Sequence, residues 1–141
     1  MAQEASKFSA VRERHPDLGE VIYLRYAGDG KAKSMEVGIA PNHGSNVFRF
    51  RVGADDLIYC DTKALARHEF TGNFVMWPFP NRVRDKKYRW EGKEYDLSHV
   101  AVPSDDPHLI HGLVRDRIWD IVEMRAGTGL AVAITKGPYW I

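Results

Sequence analysis

Cysteine is almost absent from this chain: Cys60 stands alone among 141 residues. A lone thiol closes no internal disulfide, which fits a reducing compartment, and "LIYCDT" sets no base beside it, so a small buried filler is expected there. An excess of charge of one sign is also missing, since 20 Lys and Arg face 19 Asp and Glu for a net +1. That balance gives no electrostatic ground for a nucleic-acid partner or an anionic membrane. No apolar run reaches the roughly 20 residues of a membrane-spanning helix. The opening "MAQEASKFSAVRERHPD" has no hydrophobic signal core. The expectation is a cytoplasmic protein with no nucleic acid and no membrane as partner.

Catalytic signatures are equally scarce. The chain has no P-loop, no G-x-G-x-x-G and no G-x-S-x-G elbow, which removes the common nucleotide and serine-nucleophile readings. Six histidines are present, His15, His43, His68, His99, His108 and His111, but none forms H-E-x-x-H or pairs with cysteine. No metal is therefore expected.

What is present is a series of short β-prone runs separated by turn residues. "EVIYLRY" (20–26), "SMEVGIA" (34–40) and "NVFRFRV" (46–52) read as strands, the last with Phe48, Phe50 and Val52 on one face and Arg49 and Arg51 on the other. "DLIYC" (56–60) is a further short apolar run, and "TKALARHEF" (62–70) suggests a helical turn. "KYRWEGKEYDL" (87–97) predicts a hairpin turning at Glu91-Gly92, with Tyr88, Trp90 and Tyr95 along its strands. "RIWDIVEMR" (117–125) and "GLAVAITK" (129–136) complete the set. Strands about ten residues apart with little helical periodicity predict an all-β, antiparallel sandwich. Residues 1–19, rich in charge, read as a loose N-terminal arm, and 20–141 as the β domain.

Two stretches carry candidate chemistry. In "MWPFPNRVRD" (76–85), Pro78 and Pro80 disfavour a packed strand and Trp77 and Phe79 disfavour a linker, so a braced loop presenting Asn81 and Arg82 is expected. The Arg82 fork suits adjacent hydroxyls or a carboxylate; a surface ion pair with Asp85 or Asp116 is the open alternative. In "HLIHGLVRDRIW" (108–119), His111 precedes Gly112, which allows close approach of a ligand or of backbone. His111 is open between a ligand-facing role on a loop and a simple backbone hydrogen bond. His43 in "NHGS" reads as structural, and Asp105 and Asp106 as turn formers beside Pro107.

Taken jointly, "IAPNHGSNVFRFRV", "WPFPNRVRDKKYRWEGKEYDL" and "HLIHGLVRDRIWDIVE" resemble the N-terminal part of the aldose 1-epimerase (galactose mutarotase-like) family, over roughly residues 20 to 125. The resemblance implies a large β-sandwich that binds a free aldohexose in an open polar cleft and interconverts its α and β anomers. It implies general acid–base ring opening without a cofactor. Arg82 would hold sugar hydroxyls, and His111 would bind against the ring side and assist proton transfer. Asn81 would shape the loop. The family's second histidine and later glutamate have no match, and Glu94 and Glu123, in predicted strands, do not replace them. The resemblance therefore implies an incomplete sandwich with open edges through which copies could pair, and leaves a non-catalytic sugar-binding remnant or truncated fragment as the alternative.

Overall fold

A computed structural model describes residues 6–100 and 108–137. Five strands form one antiparallel sheet in chain order: β1 (Phe8–His15), β2 (Gly19–Tyr26), β3 (Met35–Ala40), β4 (Asn46–Val52) and the two-residue β5 (Asp55–Asp56). A helical turn, α1 (Thr62–Ala66), follows. Two hairpins complete the described chain, β6 (Lys87–Trp90) with β7 (Lys93–Asp96), and β8 (Asp120–Ala126) with β9 (Ala131–Lys136). The β8–β9 hairpin packs across β1 and β2. This is the expected all-β, sandwich-like architecture.

The sheet buries Val21, Tyr23, Ala40 and Phe48 with Leu18 and Leu65, and Val11, Cys60 and Ala66 pack against that group. Cys60 is thus half-buried filler, and burial pushes its thiol pKa up, away from nucleophilic use. α1 delivers Leu65 because Asp61 caps it, accepting from the N–H groups of Lys63 and Ala64 at 2.9 and 3.0 Å.

Four expectations need correction. Residues 8–15 are not a loose arm: β1 pairs with β2 from Phe8↔Tyr26 to His15↔Gly19. Its charges, which suggested a solvated tail, are cross-strand partners, Glu13 to Arg25 at 2.6 Å and Arg12 to Glu20 at 3.7 Å. Residues 1–5 of that arm lie outside the described residues. Arg25 in turn meets Glu36 at 2.6 Å, Glu36 meets Arg49 at 3.6 Å, and Arg49 meets Asp56 at 3.7 Å, so an ionic ladder crosses all five strands.

The second correction concerns β4. Gly38 pairs with Arg49 but Ile39 pairs with Val47, leaving Phe48 as the extra residue of a β-bulge. The bulge turns Phe48 onto the Gly38 face, where a Cβ on Gly38 would lie 2.7 Å from the Phe48 ring. There Phe48 meets Tyr23 and His15 edge-on, with centroids at 5.8 and 5.5 Å. Phe48 and Phe50 therefore do not share a face.

Third, the "DLIYC" run is a strand only to Asp56. No strand pairs beyond β5 among the described residues, and Leu57 and Tyr59 are exposed as the chain turns off toward α1. Fourth, β8 begins at Asp120, because residues 117–119 bond instead to the short 3-10 turn Pro41–His43 and its end. Gly44 N–H donates to Arg117 O at 2.8 Å, and Trp119 N–H to Pro41 O at 3.0 Å. A second bulge, between Ile121 and Glu123, breaks the alternation expected there.

Candidate functional site

The loop predicted from its prolines and the His-Gly segment are zipped together. Leu113 N–H donates to Trp77 O, and Val83 N–H to Leu109 O, both at 2.8 Å. Val83 and Leu109 form an antiparallel bridge, and Leu109 and Leu113 are buried beneath it. The zip carries the Pro80-Asn81-Arg82 corner to the side of His111.

Gly112 makes that approach possible. Its φ is +76°, and a Cβ there would drive into the backbone of Trp77. His111 precedes it at φ +59°, a left-handed conformation that costs a non-glycine residue about 1–2 kcal/mol. The neighbours hold it there. His111 Nδ1 lies 2.8 Å from Pro80 O. A carbonyl only accepts, so Nδ1 carries the proton and Nε2 of the neutral ring carries the lone pair. The ring is also bracketed edge-on by Phe70 and Phe74, with centroids at 5.3 and 5.6 Å.

Asn81 and Arg82 are exposed on the same corner. Asn81 Oδ1 accepts from Arg82 N–H at 2.8 Å, which fixes the turn between them. Of the ion-pair partners weighed for Arg82, Asp116 faces other groups: the Arg115 guanidinium at 3.1 Å and His68 Nδ1 at 3.6 Å. Next in the corner, Asp85 N–H donates to His108 Nδ1 at 3.0 Å. Glu94 and Glu123 do not join the corner; Glu94 meets Lys87 and Arg89 within its hairpin, and Glu123 meets Arg125. Asp105 and Asp106 lie outside the described residues.

A family profile described as aldose 1-epimerase matches residues 30–137, 108 of the 141 residues, and so takes in both sides of the zip. The chain belongs to the aldose 1-epimerase family. No curated protein matches it. For an aldose 1-epimerase family member the substrate class is a sugar, and a sugar needs directional donors and acceptors on a rigid frame. The zipped corner offers a guanidinium, a carboxamide and an imidazole whose tautomer is set by backbone.

Behind His111 lies a group that sequence reasoning missed. Arg115 lies over the Phe70 ring, its Cζ 4.0 Å from the centroid, and donates through Nη1 to His68 O at 3.1 Å. His68 leans on His43, with ring centroids 5.8 Å apart. His43 Nδ1 is buried without a hydrogen-bond partner among the described residues, and burial lowers the ring's pKa. Burial likewise raises the Asp116 carboxyl, with Arg115 opposing. The one trace of this group in the sequence is "VRD", which recurs at 83–85 and 114–116 beside both sides of the zip. Three residues carry no assignment by themselves.

Proposed function

We propose that this chain grips a free aldohexose between Arg82 and His111 and interconverts its α and β anomers by general acid–base ring opening. The observation that carries the reading is the His111–Pro80 hydrogen bond, which leaves Nε2 as the ring's free lone pair. In the neutral ring Nε2 accepts a proton from a sugar hydroxyl; once protonated, it donates to the ring oxygen. Arg82 supplies forked donors for adjacent hydroxyls, and Asn81 holds the turn that presents them. Transfer of the anomeric hydroxyl's proton by way of Nε2 to the ring oxygen, as the bond from C1 to that oxygen breaks, opens the ring. Rotation of the aldehyde and closure on the other face give the second anomer.

A second reading, sugar binding without turnover, is favoured by one observation. Glu94 and Glu123 are tied to cations of their own hairpins, so neither stands ready as the base.

The test follows the optical rotation of freshly dissolved α-D-glucose and α-D-galactose with wild type and with an Arg82→Ala, His111→Ala double variant. Faster mutarotation by wild type alone supports the isomerase. Rates equal to buffer for both, with sugar still quenching tryptophan fluorescence in wild type only, support the binding reading. Neither response overturns both.

A further inference from the structure

We infer that Arg115 is a positioning residue for His111, acting through Phe70. The inference deepens the reading above and rests on it for the sugar chemistry, but its structural content stands apart. Phe70 is 54% exposed and belongs to no buried cluster. Even so, its ring has three neighbours: Arg115 caps it at 4.0 Å, His111 meets it edge-on at 5.3 Å, and the Phe74 ring lies tilted at 5.8 Å. An exposed aromatic without such support samples its rotamers freely, and the imidazole leaning on it would do the same.

Arg115 is well placed to be immovable. Its side chain is only 10% exposed, and its donors reach His68 O and Asp116, both at 3.1 Å. Buried charge of this kind stays where its partners are, because leaving either one unpaired is costly. His68 faces Asp116 from the segment after α1, so the cation is fixed from two separate stretches of chain. The order of support runs Asp116 and His68 O, Arg115, Phe70, His111. The Pro80 carbonyl sets the protonation of Nδ1, and the Phe70 edge keeps the ring in the orientation that makes that bond.

A plain structural role for Arg115, neutralising Asp116, makes a different prediction, because Phe70 is then irrelevant. The test is long-range proton–nitrogen NMR of the histidine rings in the full chain without sugar. It is run above the ordinary histidine pKa of about 6.5. His111→Gln assigns the signal. Wild type shows His111 protonated at Nδ1. Phe70→Leu and Arg115→Met move that signature toward a mixture of tautomers, whereas Arg115→Lys, which keeps a cation for the ring, retains it.

The inference is overturned if Phe70→Leu keeps the wild-type signature, or if Arg115→Lys loses it as fully as Arg115→Met. Should Arg115→Met fail to fold, Phe70→Leu and Arg115→Lys still decide. In a mutarotation assay Phe70→Leu lowers kcat about tenfold with KM nearly unchanged, as misorientation of a reacting group does. The NMR signature needs no turnover, so an inactive wild type counts against the isomerase while leaving the positioning question answered.

Discussion

Replacing Gly112 with alanine isolates what holds the two sides of the site together. Two costs add. The backbone at φ +76° is a left-handed conformation, worth about 1–2 kcal/mol against any residue with a Cβ. The new methyl also runs into the main chain of Trp77, which has no flexible end to swing aside. Relief of that overlap costs about 1–3 kcal/mol by analogy with overpacked cores. It also stretches the 2.8 Å bond from Leu113 N–H to Trp77 O, over a buried Leu113. The sum is about 3 kcal/mol or more, a large part of the 5–15 kcal/mol typical of a domain.

Two other glycines separate the terms. Gly30 has φ +84° with open space around its Cβ, so Gly30→Ala carries the backbone cost alone. Gly127 has neither a positive φ nor a neighbour, so Gly127→Ala is close to neutral. Urea unfolding of all three reads the difference. With a slope of about 2 kcal/mol per molar, Gly112→Ala lowers the midpoint by about 1.5 M or more, and Gly30→Ala by about 0.5–1 M. A Gly112→Ala midpoint no lower than that of Gly30→Ala would show that the zip does not depend on close approach at Trp77.

Other perturbations give equally definite outcomes. Asn46 is buried, donates to Thr71 O at 3.0 Å and accepts from Asn73 N–H at 3.1 Å; Asn73 N–H also reaches Val47 O, so Asn46→Ala takes the side-chain donor from Thr71 O alone and costs about 1–3 kcal/mol in urea unfolding. Stability also falls as the pH drops through about 6.5, because the unfolded chain then protonates His43 while burial holds the folded ring neutral. Asp116 has the opposite sign and acts lower. Its raised carboxyl takes up a proton in the fold first, so it adds stability as the pH falls toward about 4. Unfolding midpoints across this range should therefore flatten near pH 6.5 in His43→Gln; an unchanged slope would place the dependence elsewhere.

Period-two alternation made β2, β3 and β4 legible, because their side chains meet a core on one face and charge or a second layer on the other. The same rule failed at β1, where Arg12 and Glu13, which look like part of a solvated tail, meet Glu20 and Arg25 on β2. Only the pairing reveals them. It failed again at Phe48, since a bulge is a mismatch in count between two strands and no single strand records it. Glycine and proline chemistry was enough to find the corner at residues 80–82 and the histidine before Gly112. The support behind them was not legible. His68, Phe70 and Arg115 come from stretches with no shared pattern, and only chain reversal brings them together.

The zip joins residue 77 to 113 and residue 83 to 109, and the β6–β7 hairpin lies in the sequence between its two sides. Among the described residues the hairpin's strands pair only with each other, and its ions, Lys87 with Asp96 and Arg89 with Glu94, meet within it. Loop-closure entropy changes slowly with length, by about 0.6 kcal/mol per doubling. Natural variation can therefore lengthen, shorten or exchange this insert while the corner behind it keeps its shape, much as a tool changes heads on a fixed handle.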